Sequence, residues 1–458
     1  MRQVDDDTRC TRVRRASSIA GYGKLFVGIV LAAHLAACDD PMSVRPDPTT
    51  VDAKTNPPLL AETMNGAATD FNFAYDIWMM GQGIFGNEMN SVSFLRWEMA
   101  NRIPNEAIGV TAGTNAASPN DREVRANFPA WYSYVQAAIA GTTRAMERLR
   151  TGSFPSVTDP ENSAEMARLT LYRAFEIIWL ADVWCDFVLD GQPVVYTSRQ
   201  GWDLARTLFE KVLTISAASA SDRAAANAGL ARVHRLLGNW TLADQHAAQV
   251  GPTFTLQTTY AVVPQANVNR IWFHLWSFGE HTVSERWRNV TLDGTTTPDP
   301  RVALTRPPIS PTGSLDQLWA PNKVPASGSS LNVTSGVEAL LVRAEAALAA
   351  GNLQLAVDRI NAVRLLRGVS QPWTPPSLNA TTVRDKLIDE RGRTLLFEGV
   401  RVADLRFYLK TYGVNLWHTT VPQGAQVGNA TCHPLHQIER DNIAGITYTY
   451  RGDTYVRP

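Results

Sequence analysis

Between Glu390 and Arg406 the chain carries Glu390, Arg391, Arg393, Glu398, Arg401, Asp404 and Arg406. Glu398, Arg401 and Asp404 stand three apart, which on a helix places alternating signs along one side. Such an array could bind an anion or act as an acid/base pair. Charges beside a core are usually paired, however, so the expected role of Glu390, Arg391, Glu398, Arg401 and Asp404 is a structural network that docks their helix.

Three further groupings have the residue types for chemistry. Asp182, Asp186 and Asp190 fall four apart, so a continuing helix would align three carboxylates for a cation or a glycosidase-like acid pair. No second acidic cluster completes such a pair, and the favoured reading is the solvated end of an amphipathic helix. Cys432, His433 and His436 could ligate a metal, but the sequence identifies no other ligand, so no metal and no cofactor is expected. The stretch RIWFHLWSFGEH places Trp272 and Trp276 four apart with His274 and His281 nearby. Those rings could stack on a flat ligand or pin their loop to the body. Neither a nucleophile elbow nor an HExxH metal motif is present.

The elements that must position these groups are mostly helical. Val337, Leu340, Leu341, Ala344 and Leu348 recur at helical spacing, with Ser335 and Glu338 forming a possible capping box. Gly351-Asn352 interrupts the pattern before Leu353, Ala356, Val357, Ile360 and Val363 resume it, which predicts an antiparallel pair. A last helix is predicted from about Thr382, with Asp385 completing its capping box and Ile388, Leu395 and Val402 as its stripe. The segment GLARVHRLLGNWTLADQHAAQ superposes on RAEAALAAGNLQLAVDRINA with Gly238 on Gly351. Small residues then coincide on both sides, as in tetratricopeptide repeats. Helical patterning also starts near Leu59, with expected breaks at Gly81 and Gly83, and runs again from Pro129 to Leu149. Residues 251–334 differ, holding nine of the 26 Pro and four of the 13 Trp. They read as an ordered, loop-rich insertion. Ile446, Tyr448 and Tyr450 alternate with polar residues and predict a little β structure at the end.

The order ERGRTLLFEGVRVADLR resembles the C-terminal signature of the SusD/RagB-like outer-membrane lipoproteins. Glu390, Arg391, Arg393, Phe397, Glu398, Gly399, Arg401, Asp404, Leu405 and Arg406 match it, while Thr394 and Val400 depart from it. The helix pair before it, Asp299-Pro300-Arg301, and Asn87-Glu88 where the family often has Asp-Glu are similar to family features as well. The resemblance implies a mainly α fold: tetratricopeptide-like pairs near 167–250 and 336–409 forming a SusD-like helical body, with the 251–334 insertion and minor β at the C-terminal end. It also implies a surface protein that binds an oligosaccharide or other oligomeric nutrient without cleaving it and passes it to a SusC-like TonB-dependent transporter. Trp272, Trp276 and Trp97, with Asn87 and Glu88, are the expected ligand face. The alternatives are a cell-surface hydrolase and a repeat scaffold that binds only protein.

The N-terminus is consistent with that reading. Residues 2–24 hold five Arg and one Lys, a thirteen-residue run LFVGIVLAAHLAA, apolar or small but for His34, follows, and its last three residues, Leu35-Ala36-Ala37, precede Cys38. This is similar to a bacterial lipoprotein signal, with residues 1–37 removed and Cys38 lipidated as the anchor in the outer membrane, facing the cell exterior. Residues 38–58 are polar and Pro-rich and read as a tether, leaving 59–458 as a single domain. Removal of 1–37 takes six of the 43 basic and three of the 43 acidic groups, leaving 37 and 40. That balance gives no support for nucleic acid binding. An exported chain would keep Cys185 and Cys432 besides Cys38, both in segments similar to family motifs. A disulfide between them is expected, two buried thiols being the alternative.

Overall fold

The computed structural model describes residues 58–92, 130–152, 154–262, 268–312, 317–418 and 430–435, positions 439 and 443, and strands 447–450 and 453–456. Residues 1–57, which hold the signal, Cys38 and the tether before Pro58, lie outside the described residues, as do Trp97 and His436. No described helix is long and apolar enough to cross a membrane.

Helix α1, Pro58–Phe85, opens on a proline whose fixed φ suits a first turn and whose missing N–H costs nothing there. It does not break at Gly81 and Gly83. A Cβ at Gly81 would lie 2.1 Å from the Trp131 ring, and one at Gly83 would lie 2.8 Å from Met89. These glycines serve close packing rather than termination: the first lets α2, Ala130–Thr151, lie against α1. After α1 the short strand β1, Met89–Ser91, leads away.

Helix α3, Ala164–Val183, is the centre of the body. Ser163 caps it by accepting from the backbone N–H of Met166, and residues on all its sides are buried from Met166 to Val183. A helix apolar all round is expected to be enclosed, and α1, α2 and α4 surround this one. The helix ends at Trp184, so the three aspartates do not line up. Asp182 is 1% exposed and accepts from Trp202 Nε1 at 2.9 Å. Asp186 opens strand β2, Asp186–Val188, and Asp190 sits in a left-handed turn paired with Arg173. The favoured reading of a solvated helix end is therefore corrected for Asp182, whose carboxyl burial pushes up to about 6.

Strand β2 pairs antiparallel with β3, Val195–Thr197. Thr197 and Gln200 then form a reciprocal capping box for α4, Ser198–Thr214. Helices α5, Ala220–Leu237, and α6, Trp240–Ala247, turn at Gly238 with φ +82°. Helices α7, Gly336–Ala349, and α8, Leu353–Leu366, turn at Gly351 with φ +75°. Both turns need a left-handed residue, which glycine adopts without a Cβ penalty. Ala228, Ala231, Ala243, Ala247 and Ala339 make the joint between the pairs, where small side chains allow close approach.

The insertion between these pairs is tied down by short ladders. Strand β4, Thr255–Thr258, pairs with β8, Leu331–Ser335. Strand β5, His281–Val283, pairs with β1, and β6, Leu304–Thr305, pairs with β7, Ala320–Pro321. The hairpin of β9, Thr447–Tyr450, and β10, Asp453–Val456, supplies β structure at the C-terminal end. The fold is mainly α.

The predicted last helix is two helices: α9, Ala380–Thr394, and α10, Arg401–Tyr412. Phe397 at φ +57° and Gly399 at φ +70° turn the chain between them. Asn379, not the Thr382/Asp385 pair, caps α9 by accepting from the Thr382 N–H at 2.9 Å.

One carboxyl inside the body gives a pH test. Glu176 on α3 is fully buried, accepts among the described residues only from Thr142 Oγ1 at 3.0 Å, and is pushed up to about 8 by burial. Its unfolded value is about 4.3, so the stability its neutral form contributes is complete below that pH and is lost as pH rises through about 8. Glu176→Gln should therefore gain on the wild type in urea midpoint between about pH 6 and about pH 9. Parallel midpoints over that range would show that Glu176 does not resist ionisation.

Candidate functional site

The segment from Asn269 to Val283 is held at both ends and offers its middle to solvent. Asn269 is buried, accepts from the Trp272 N–H at 2.9 Å and donates to the Ser329 carbonyl at 2.7 Å. Asp76 of α1 accepts from the Arg270 N–H, and burial pushes its carboxyl up to about 8 against those backbone donors. A π-helical turn, Phe273–Ser277, follows and rotates the next side chains relative to an α-helix. Phe273 and Phe278 stack with centroids 5.5 Å apart and planes 9° from parallel. Phe278 is 49% exposed, so a flat ring backed by a second ring faces water. Arg270 lies 5.6 Å from the Phe273 centroid. Such a platform can take the apolar face of a flat ligand.

Trp272 and Trp276 are half-buried and pack on the main core. They support the segment more than they cover its surface. Phe278, which sequence reasoning did not single out, carries the exposed ring. Its position before Gly279, at φ +69°, was the available signal: an aromatic residue at a tight turn has little room inside. His274, Glu280 and His281 bring ligand atoms within 4.8 Å of one another, and among the described residues this is the group that could hold a metal ion. His274 Nδ1 and Glu280 Oε2 are 2.8 Å apart, which ties the π turn to β5.

The structure does not place Glu88 on a ligand face. It is 1% exposed, with its oxygens taken by Gln82 Nε2 at 2.9 Å and the Phe397 N–H at 3.1 Å. Burial raises its carboxyl, with Phe397 and Arg401 opposing. Asn87, in a left-handed turn, accepts from Ser284 Oγ at 2.8 Å and through its carbonyl from Trp287 Nε1 at 3.2 Å. Both residues therefore join α1 to the insertion and to the turn after α9.

Most of the signature charges pair across the fold, with the i,i+4 pairs Lys386–Glu390 and Asp389–Arg393 added within α9. Glu390 is fully buried and accepts from Arg301, from Arg364 at 2.6 Å and from Lys386 at 2.8 Å. Burial raises its carboxyl, but Lys386 and Arg301 outweigh it and hold the group below its ordinary value. Asp404 takes both Nε and Nη2 of Arg391, at 3.1 and 2.9 Å, and Arg235 at 2.8 Å. Glu398 sits in the turn and meets Arg367 at 3.1 Å and Lys323 at 3.4 Å. Arg401 is the correction to the expected ladder. Among the described residues it has no carboxylate within salt-bridge distance, and its Nη2 is buried without a hydrogen-bond partner. Its guanidinium approaches the Gly86 carbonyl at 3.4 Å and the Trp287 ring at 5.4 Å, and desolvation lowers its pKa against the field of Glu88.

Cys185 and Cys432 are joined by a disulfide with Cα atoms 5.2 Å apart. That bond removes the Cys432 thiolate as a metal ligand. His433 beside it is buried against Phe85 and Trp131, with ring centroids 4.4 and 5.3 Å away.

Known proteins share this architecture. Residues 337–458 match the family model described as the SusD family. A SusD homolog from Bacteroides thetaiotaomicron VPI-5482 is 16% identical, with a TM-score of 0.57 over 86% of this chain and 97% of that one. A SusD superfamily protein from Bacteroides vulgatus ATCC 8482 is 15% identical, with a TM-score of 0.60 over 83% and 95%. A SusD-like carbohydrate binding protein from the same species is 12% identical, with a TM-score of 0.52 over 76% and 82%. No curated protein matches the sequence. The chain is thus similar to the SusD family over residues 337–458, and its fold is that of the SusD superfamily structures.

Proposed function

We propose that this protein is a non-catalytic glycan-binding lipoprotein that captures oligosaccharides and delivers them to a SusC-like TonB-dependent transporter. In this reading residues 1–37 are removed, lipid on Cys38 anchors the chain in the outer membrane facing the exterior, and 38–58 tether a single domain, 59–458. The observation that carries the ligand side is the exposed Phe278 ring stacked on Phe273. Trp272, Trp276 and Trp97 are further candidate ligand residues in this reading. A similar fold in a protein described as carbohydrate binding supports the ligand class. A carrier that must release its cargo needs stacking contacts of modest strength, because tighter capture would block transfer.

Calorimetry of the form lacking residues 1–38 against a panel of neutral oligosaccharides is expected to show weak binding. Phe278→Ala should lower the affinity roughly tenfold, the loss of one aromatic stacking contact, with the urea midpoint unchanged. Mass spectrometry of the same mixtures should recover the oligosaccharide uncut. Steady turnover by purified protein would overturn the reading in favour of a hydrolase, and unchanged affinity in Phe278→Ala would remove the platform from the site.

A further inference from the structure

A cavity of about 470 Å³ opens between α9, the Glu285–Trp287 turn and the segment after α10. Its charged lining is Arg286, Arg384, Arg393 and Arg401 against Asp385 and Asp389, four cations and two anions. Two of the cations are already matched. Arg384 donates to Asp385 at 2.7 and 2.9 Å, and Arg393 donates to Asp389 at 2.8 Å and to Asp299 at 3.2 Å. Arg286 and Arg401 have no carboxylate partner among the described residues.

Arg401 is only 3% exposed, and its Nη2 lacks a hydrogen-bond partner. The carboxylate whose field reaches it most, Glu88, has its oxygens committed to Gln82 and Phe397. An unsatisfied buried guanidinium is costly, so its retention at a cavity wall needs a reason. Arg286 stands at the exposed rim, 4.9 Å from the Trp287 centroid and 3.4 Å from the Leu416 carbonyl. Space is kept open by Gly392, where a Cβ would lie 2.9 Å from the Trp287 ring and 3.7 Å from Arg401 Nη1. Val290, Ile388, Val414 and Leu416 complete the wall with apolar surface.

We propose that this cavity is a second ligand site, selective for a sugar acid, whose single carboxylate is held between Arg286 and Arg401 while its ring rests on the apolar wall. Guanidinium groups suit a carboxylate because they donate in a planar fork, and the charge assistance strengthens each bond. The volume lies within the range of small-ligand pockets, which accommodates a monosaccharide with room for solvent. A neutral sugar leaves both guanidiniums uncompensated, so selection comes from charge. The site is separate from the Phe273–Phe278 platform, while the choice of a sugar among carboxylate ligands rests on the glycan-binding function proposed above.

The test is calorimetry of the full chain in detergent with galacturonate, galactose and acetate as probes. Galacturonate is expected to bind, acetate to bind more weakly, and galactose to give no comparable signal. Arg286→Gln and Arg401→Met should each weaken galacturonate roughly tenfold or more, the loss of a charge-assisted contact, and added salt should weaken it further in the wild type. Arg286 is on the rim, so Arg286→Gln keeps the test decisive if Arg401→Met does not fold. Equal binding of galacturonate and galactose, acetate as tight as galacturonate, unchanged affinity in Arg286→Gln, or no galacturonate binding would each overturn the proposal. Phe278→Ala should leave the galacturonate isotherm unchanged, which separates this site from the platform.

Discussion

Glu390→Ala is expected to destabilise the folded protein by roughly 3 to 5 kcal/mol, the range for removing one partner from a buried ion network. Glu390 is the acceptor on which Arg301, Arg364 and Lys386 converge, from the insertion, from α8 and from α9 itself. Their other partners do not replace it. Arg301 keeps Asp299, while Arg364 is left to Asp293 and Lys386 to Asp293 and Asp389, both partly exposed. Glu390→Gln retains shape and one acceptor oxygen but not the charge, so it should fall between alanine and wild type. The pH dependence separates charge from packing. A carboxyl held below its ordinary value contributes stability above its unfolded pKa of about 4.3, which is lost as pH falls through the folded value. The wild type should therefore lose more of its urea midpoint below about pH 4 than Glu390→Gln does. An alanine variant within about 1 kcal/mol of wild type would show that the network is not what holds α9 to the insertion.

The sequence carried local information well and long-range pairing poorly. The turns at Gly238 and Gly351 were legible because a break in apolar periodicity coincides with the residue that tolerates a left-handed turn. The turn at residues 395–400 was not, because Ile388, Leu395 and Val402 keep seven-residue spacing and are all buried although they span two helices. A stripe reports which side chains are inside and not whether the backbone between them stays helical. Glu398 thus left the ladder, and its partners Lys323 and Arg367 lie 75 and 31 residues away. Nothing in local spacing announces such partners.

Glycines and aromatic residues misled for a related reason. Gly81 and Gly83 look like helix breakers until the Trp131 ring is placed beside the first and Met89 beside the second. Trp272 and Trp276 have the spacing of a binding pair, but both are half-buried and pack on the main core. Phe278 then takes the exposed position, a result of backbone geometry that composition does not encode. In the sequence, Asp299-Pro300-Arg301 stands out only through its resemblance to a family motif. Its physical role is to carry Arg301 under Glu390, with Asp299 aligning the guanidinium at 2.7 and 2.9 Å.

Replacing both Cys185 and Cys432 by alanine is expected to cost roughly 2 to 5 kcal/mol, the range for removing a native disulfide from a folded chain. The two residues are 247 positions apart, so the bond closes most of the body into one loop. In the chain-entropy account the stabilisation grows with loop length, which puts this bond toward the upper part of that range. The local structure gives the bond a second role. The Cys185 N–H donates to the His433 carbonyl at 2.7 Å, and the His433 N–H donates to the Val183 carbonyl at 2.9 Å. Those two hydrogen bonds fasten residues 431–435 to the end of α3, where Leu435 packs with Val188. Without the cross-link, opening of that segment no longer has to stretch a covalent loop, so amides near His433 should exchange faster even under conditions where α3 stays protected. Denaturant unfolding of the form lacking residues 1–38, with hydrogen exchange on the same samples, measures both effects. Thiol titration after denaturation without reductant should find neither cysteine reactive. Two reactive thiols, or a double variant with the wild-type midpoint, would show that the bond is absent or contributes nothing.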